Sequence, residues 1–316
     1  MRVNLIWLFL LLPVSVDACM AADSQTMLYK DVIQQDLLYR AEKGDSLQLV
    51  GARFGVDWRQ IAALNHLKID ARLRKGEELR IVKSKIIPSG IDNGILINIP
   101  DRSLYYFENG RLIAYYPVGL GMIKPEWQTP SAVSFEVVKK IKDPTWVVPI
   151  SIQDEMVKKG EDIKTIVPPG PDNPLGKYWL GLSIKGVGLH ATILPNSIYQ
   201  FRSHGCIRLL PDNAKSLFDI VPVGTEGRLI YQTVKVARTA DGRIFLEVYR
   251  DFYHKGQDQR RIVRDIVEAN GLSDRVDWDR VADVIKKKDG TAEEITLNAP
   301  LSDHKEAISH RGARGD

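Results

Sequence analysis

Cysteine is nearly absent from this chain, which has two cysteines, Cys19 and Cys206, among 316 residues. Two cysteines so placed exclude an internal network of disulfides of the kind that stabilises many small exported domains. Each cysteine therefore calls for a reason of its own.

Long apolar runs are also missing. The longest extends from Leu5 to Val16, about twelve residues, whereas a membrane-spanning helix needs about twenty. Arg2 precedes this run and small residues follow it, which is the arrangement of a secretory signal peptide. We therefore predict that residues 1–22 direct export.

Two outcomes remain open for the processing of this signal. The four residues that end at Cys19 resemble a lipoprotein box, in which Cys19 would carry a lipid, although the charged Asp17 fits that motif poorly. Cleavage after Ala21 or Ala22 would instead remove Cys19. Both outcomes leave Cys206 as the one free thiol of an exported protein.

The chain also lacks a strong net charge of either sign. Lys and Arg number 44 against 40 for Asp and Glu, and the basic residues are scattered, for a net charge of +4. The sequence therefore gives no support to nucleic-acid binding, although a mildly basic exported protein suits an anionic polymer. The apolar content of 44% is that of an ordinary globular protein, and the length allows two domains.

Residues 37–83 predict a small unit with the order β-α-α-β. Apolar residues at helical spacing follow Ser46, and Gly55 ends this first helix. The same spacing follows Asp57, a good N-cap residue. A turn at Gly76 leads into the closing strand.

A linker containing proline and glycine separates this unit from a region rich in short alternating strands, over about 93–233. Glu108-Asn109-Gly110 indicates a hairpin there, and the region as a whole predicts a mainly β domain, either a sandwich or an open barrel. Residues 234–300 predict a short α/β extension with two amphipathic helices packed against the main domain. The polar tail over 301–316 is expected to be disordered.

Ser203-His204-Gly205-Cys206 surrounds the lone thiol with residues that make a poor apolar core, so a reactive cysteine is favoured over a buried inert one. A thiol needs a base or a positive field to ionise, and His190 can supply the base. Gly205 permits close backbone approach, so nearby amide N–H groups could face an oxyanion. A zinc site of His190, His204 and Cys206 is the alternative, weakened by the lack of further cysteines and by awkward spacing.

The unit over 37–83 resembles a LysM module. The residues that carry the resemblance are Tyr39, Lys43-Gly44-Asp45-Ser46-Leu47, Phe54-Gly55-Val56, Ile61, Leu64-Asn65 and Gly76-Glu77-Glu78-Leu79. The Tyr-Pro that usually precedes the last turn is Arg74-Lys75 here. LysM modules bind glycans that contain N-acetylglucosamine, so the resemblance implies peptidoglycan as the partner.

The region from about 95 to 232 is similar to the L,D-transpeptidase catalytic domain. The residues that carry this resemblance are Tyr116-Pro117-Val118-Gly119, Thr129-Pro130, Gly188-Leu189-His190 and Ser203-His204-Gly205-Cys206-Ile207-Arg208-Leu209. Ala132 and Ala191 depart mildly from the family pattern.

The resemblance implies a ping-pong acyl transfer that needs no metal or organic cofactor. Cys206 would attack the carbonyl that joins meso-diaminopimelate to the terminal D-alanine of a stem peptide, and His190 would carry the proton. An amine acceptor would then displace the thioester. The residues that would shape the site are Ser203, His204 and Gly205. Arg208 would pair with a stem-peptide carboxylate, unless it forms a structural salt bridge.

Partners and location follow from the same resemblance. It implies a periplasmic enzyme of the peptidoglycan, whose acceptor is either a second stem peptide, giving a 3→3 cross-link, or the lysine of an outer-membrane lipoprotein. It also implies acylation by carbapenem-type β-lactams. Two alternatives remain: a hydrolase of the same fold that uses water, and a non-catalytic wall-binding protein.

Overall fold

The computed structural model describes residues 26–297 of the chain. The predicted export signal over 1–22, the lipid site at Cys19 and the tail over 301–316 lie outside the described residues. Over 26–297, no helix is long and apolar enough to cross a bilayer.

The first unit has the predicted order β-α-α-β. After a two-residue strand, β1 (Leu28–Tyr29), its elements are β2 (Val32–Arg40), α1 (Leu47–Phe54), α2 (Trp58–Leu64) and β3 (Glu78–Ile86). The Ser46 hydroxyl accepts from the Leu49 N–H at 3.2 Å, Gly55 ends α1 at φ +68°, and Asp57 caps α2. The side chains at its centre are Leu47, Val50, Val56, Ile61, Ala62, Leu79 and Ile81. The βααβ prediction is confirmed.

Twelve strands follow between the first unit and residue 231. They are β4 (Gly94–Asn98), β5 (Ser103–Glu108), β6 (Arg111–Pro117), β7 (Leu120–Gly121), β8 (Val133–Lys142), β9 (Trp146–Val147), β10 (Ile166–Val167), β11 (Tyr178–Leu182), β12 (Gly188–Ala191), β13 (Phe201–Ser203), β14 (Ile207–Leu209) and β15 (Glu226–Ile230). Eight of them form one sheet in the order β14-β12-β11-β8-β15-β4-β5-β6. The mainly β prediction is confirmed.

The two edges of this sheet approach each other. Gly119, just after β6, exchanges backbone hydrogen bonds of 2.9 and 2.8 Å with Arg208 in β14. The sheet is thereby nearly closed on itself. Of the two architectures that the sequence left open, the structure is therefore the open barrel and not the sandwich. The predicted hairpin connects β5 and β6. Asn109 and Gly110 in its turn have φ of +51° and +71°, as such a turn requires.

Two helices in this region escaped the sequence analysis. They are α3 (Ile150–Lys159) and α4 (Pro211–Ile220). The helix α3 lies between β9 and β10 and buries none of its residues. The helix α4 starts with proline at its first position and turns Ala214 and Leu217 into the main core.

The C-terminal unit, residues 234–297, is an α/β unit as predicted. Its elements are β16 (Val234–Arg238), β17 (Ile244–Val248), α5 (Gln259–Ala269), α6 (Trp278–Lys287) and β18 (Glu293–Glu294). Asp258 and Asp277 cap the two helices, whose apolar faces pack on the strands. Strand β1, at the start of the described residues, completes this sheet by pairing in parallel with β16, a connection that the sequence analysis did not predict.

A buried ionic cluster joins the three units. Lys235 of β16 lies 2.9 Å from the Asp101 carboxylate and 3.1 Å from that of Glu247, and all three side chains are fully buried. Lys85 of β3 reaches the same Glu247 at 3.8 Å. Because unpaired charges are costly inside a protein, these contacts fix the relative placement of the units.

Candidate active site

The turn between β13 and β14 carries Cys206. Ser203 binds this turn from within: its hydroxyl accepts from the Gly205 N–H at 3.2 Å and donates to the Cys206 carbonyl at 2.6 Å. Gly205 has φ +104°, a backbone conformation that disfavours other residues. A side chain there would have room, with no atom within 3.4 Å of a Cβ, so conformation is the reason for glycine.

His190 lies on β12, beside the strand that follows the cysteine. The β12–β14 pairing is parallel and sets His190 opposite Arg208. Cys206 immediately precedes β14, and the N–H of Gly188, two residues before His190 on β12, contacts the Cys206 sulfur. The structure thus brings together the thiol, the imidazole and the guanidinium that the sequence analysis selected.

The environment of His190 keeps its imidazole neutral. The ring is buried, and its Nδ1 lies 2.5 Å from the Ala191 carbonyl oxygen. A carbonyl only accepts, so Nδ1 carries the proton and the other ring nitrogen holds the lone pair. Burial, with a smaller contribution from the Arg208 charge, lowers the pKa of His190 to about 4.

Cys206 is half-buried, and its thiol donates to the Gly186 carbonyl at 3.5 Å. Burial raises the pKa of this thiol, and the Gly188 N–H and the Arg208 charge offset only part of that rise. The resting site therefore holds a thiol beside a neutral imidazole, and the thiol needs a base when it reacts.

The His204 side chain lies against the segment that carries α3. Its Nε2 lies 3.3 Å from both oxygens of the Glu155 carboxylate. Its ring meets that of Trp127 edge-on at 4.7 Å. His204 thus contacts the segments that flank the site, and sequence reasoning missed both of these partners.

Arg208 has an unusual environment for a half-buried cation. Among residues 26–297, none of the ion pairs includes it, and its Nε is buried without a hydrogen-bond acceptor. Burial lowers the pKa of Arg208; the like charge of Arg202 lowers it further, and an ionised Cys206 sulfur would oppose the shift. The described residues thus give no support to the structural salt bridge that the sequence left open.

Trp179 is a further residue of the site. It lies opposite His190 in the β11–β12 pair and stacks on the imidazole at 5.7 Å and 26°. A Cβ at Gly188 would come within 2.4 Å of the Trp179 ring, so the glycine two residues before His190 makes room for the indole. The Gly-x-His spacing was the signal available in the sequence.

No three His, Cys, Asp or Glu side chains within the described part of the chain converge as a metal site would require. His190 and His204 point to different surroundings, with Ala191 and Glu155 as their respective partners. The arrangement therefore suits covalent catalysis by a thiol with a histidine base.

Comparison with known proteins agrees with this class. Residues 92–236 match the L,D-transpeptidase catalytic domain (YkuD), and residues 39–82 match the LysM domain. The "Probable L,D-transpeptidase ErfK/SrfK" of Salmonella typhimurium is 30% identical over 262 residues, which cover 80% of this chain and 84% of the relative. The "Probable L,D-transpeptidase YcfS" of Escherichia coli K12 is 30% identical over 223 residues, covering 70% and 69%.

Among solved structures, the catalytic domain of the E. faecium L,D-transpeptidase acylated by ertapenem is 25% identical, with a TM-score of 0.34 over 44% of this chain and 97% of that one. On the sequence relatives, the chain belongs to the L,D-transpeptidase family. It is a peptidoglycan transpeptidase with a LysM domain ahead of its catalytic domain.

Proposed function

We propose that this enzyme cleaves the bond between meso-diaminopimelate and the terminal D-alanine of a peptidoglycan stem peptide and transfers the acyl group to an amine. Cys206 is the nucleophile and His190 is its base. The observation that supports this assignment is that β12 and β14 run side by side, so that β12 carries both His190 and the Gly188 N–H that contacts the Cys206 sulfur.

Each step conserves its protons. His190 takes the proton of the Cys206 thiol as sulfur bonds to the stem-peptide carbonyl carbon, whose oxygen becomes an oxyanion. The carbon–nitrogen bond then breaks, and His190 gives the proton to the departing D-alanine amine. The acceptor amine attacks the thioester, its proton passes through His190, and the sulfur leaves as a thiol.

The lowered pKa of His190 suits this sequence in one respect. An imidazole with a pKa of about 4 is neutral throughout the physiological range, so its lone pair is always available. A base this weak and a thiol whose pKa is raised transfer the proton only when the oxyanion forms and is stabilised. The Gly205 N–H is already bound to the Ser203 hydroxyl, so the Cys206 N–H is the donor for that charge.

Arg208 orients the substrate in this proposal. Its buried Nε has no hydrogen-bond partner among the described residues, and Arg208 follows Cys206 by two residues in the strand that leaves the nucleophile turn. Stem peptides carry free carboxylates, and a guanidinium binds a carboxylate through two parallel hydrogen bonds. A bound stem peptide would thus supply the missing anion.

We place this reaction in the periplasm, where an export signal over 1–22 would deliver the enzyme. Whether Cys19 carries a lipid is tested by labelling the protein with palmitate. The LysM domain holds the enzyme on the glycan. The acceptor amine belongs to a second stem peptide or to the lysine of an outer-membrane lipoprotein.

The test combines the purified enzyme with a disaccharide-tetrapeptide, with and without a lysine-terminated lipoprotein peptide, and identifies products by mass spectrometry. The wild type should form a thioester on Cys206 and an amide product, whereas Cys206→Ala should form neither. Product from Cys206→Ala would refute the nucleophile. Tripeptide as the sole product in the presence of both acceptors would show a hydrolase instead.

A further inference from the structure

Tyr253 belongs to the C-terminal unit, beyond residues 92–236 that match the catalytic domain. Its side chain nevertheless lies buried in the core of the eight-stranded sheet region. There its ring meets Phe201 at 5.4 Å and stacks on Tyr231 at 5.8 Å. The segment after β17 thus brings Tyr253, together with the neighbouring Phe252, into contact with the core of the catalytic domain.

The Tyr253 hydroxyl closes a ring of hydrogen bonds next to the nucleophile turn. It donates to the Gly121 carbonyl at 2.7 Å and accepts from the Thr129 N–H at 3.2 Å. The Thr129 hydroxyl in turn accepts from the Gly121 N–H at 2.8 Å and donates to the Gly205 carbonyl at 3.0 Å. Thr129 is fully buried, so water does not compete for these groups.

The last of these bonds sets the orientation of one peptide group. The carbonyl of Gly205 and the N–H of Cys206 belong to the same trans peptide plane and point in opposite directions. With the carbonyl bound to Thr129, the Cys206 N–H must point to the other side of the turn. A glycine at φ +104° has no side chain to hold this plane. Ser203 binds the peptide groups before and after it, so the bond from Thr129 is the one that restrains this plane directly.

We propose that Tyr253 is a positioning residue for acyl transfer, because it holds Thr129 where Thr129 fixes the plane of the Gly205–Cys206 peptide and aims the Cys206 N–H at the oxyanion. This inference rests on the proposed function, in which Cys206 is the nucleophile. It gives the C-terminal unit a part in the reaction, which loss of that unit would remove.

A hydroxyl is essential to this role, and a ring alone is not enough. Burial raises the pKa of Tyr253 to about 12, so the hydroxyl keeps its proton and remains a donor to Gly121. Phenylalanine would preserve the contacts with Phe201 and Tyr231 but would leave the Gly121 carbonyl and the Thr129 N–H without partners.

Two reactions of the same sulfur separate positioning from general damage. Acylation by a carbapenem passes through an oxyanion, whereas alkylation by iodoacetamide requires only a reactive thiol. Tyr253→Phe should lower the second-order rate constant of acylation by about tenfold to about a hundredfold, less than the 10²–10³ that loss of an oxyanion donor costs. Its rate of alkylation, and the pH dependence of that rate, should stay within about twofold of the wild type.

The matched control is Tyr29→Phe, which removes a buried hydroxyl bonded to Gln232 at 2.7 Å in the same C-terminal sheet, without contact to the turn. Its acylation should equal that of the wild type. Thr129→Ser should retain acylation within about threefold, whereas Thr129→Val should lose it as Tyr253→Phe does. If Tyr253→Phe fails to fold, the comparison of Thr129→Ser with Thr129→Val tests whether the hydrogen bonds to the Gly205–Cys206 peptide are needed for acylation.

Equal losses of acylation and alkylation in Tyr253→Phe would overturn the inference in favour of general structural support. Unchanged acylation in either Tyr253→Phe or Thr129→Val would overturn it as well. A wild-type enzyme that the carbapenem does not modify on Cys206 would instead refute the proposed function.

Discussion

Lys235 offers the sharpest test of how the three units are held together. Its ammonium donates to Asp101 at 2.9 Å and to the Ile86 carbonyl at 2.8 Å, and lies 3.1 Å from Glu247. Substitution by methionine keeps most of the side-chain volume but leaves two buried carboxylates with only Lys85 to neutralise them. Breaking a buried ion pair from one side costs about 3–5 kcal/mol.

We therefore expect Lys235→Met to lower the free energy of unfolding by about 3–5 kcal/mol, measured by urea denaturation with circular dichroism. Lys215→Met is the matched control: its ammonium lies 2.6 Å from Asp219, yet both side chains are more than half exposed. Such surface pairs contribute about 0–1 kcal/mol. Equal, small losses in the two variants would refute the claim that the cluster fixes the units.

The pH dependence of the free energy of unfolding gives a second test of the stabilisation that this ionic cluster provides. Burial by itself would raise the pKa of Asp101, but the Lys235 and Lys85 charges outweigh it and hold that pKa below its ordinary value. The stabilisation is therefore present above pH 4, the region of the unfolded carboxyl pKa. It should decline as the pH falls below that value, and Lys235→Met should lack this part of the acid transition.

Three further predictions concern the site. His190→Gln should slow acylation by a carbapenem by about 10²–10⁴-fold, and alkaline pH should partly restore the rate by ionising the thiol; a variant of near-normal rate would exclude His190 as the base. The wild-type rate should show no loss between pH 8 and pH 6 from protonation of His190, because its pKa is lowered to about 4, and a fall centred near 6.5 would contradict the buried environment. Gly188→Ala should displace Trp179, whose ring lies 2.4 Å from the new Cβ, and should lower both the acylation rate and the thermal stability followed by Trp fluorescence. Gly271→Ala, where no atom lies within 4 Å of the Cβ, is the control for an added methyl group at a glycine of positive φ, and its acylation should equal that of the wild type.

The parts of the fold that the sequence predicted are those governed by local chemistry. Ser46, Gly55 and Asp57 cap α1 and α2 where the sequence places them. Asn109-Gly110 makes the hairpin turn, and the spacing of apolar residues marks α5 and α6. These signals come from residues next to one another in sequence, so no knowledge of the rest of the fold is needed.

The parts that it missed depend on contacts between distant segments. Helix α3 buries no residue, and its N-terminus has no side-chain cap that the sequence could signal. Lys85, Lys235 and Glu247 lie in strands where charge indicates a solvated face, and only the packing of three units turns them inward. In the site, the motif identified Cys206 and His190 as candidates, but neither Trp179 nor Tyr253 belongs to it.

The pairing of β1 with β16 has a consequence for how the protein reaches its folded state. Leu28 pairs with Val236, 208 positions later, and the Ile86 N–H binds Glu247. A chain that emerges N-terminus first can fold the βααβ unit at once, since its contacts are local. The surface of this unit that packs on the C-terminal unit stays uncovered until β16 and β17 have been synthesised. Until then Asp101 also lacks its ion-pair partner Lys235. A chain truncated before β16 would therefore keep this interface exposed, with its charged side chains unpaired, and we expect it to be more susceptible to proteolysis.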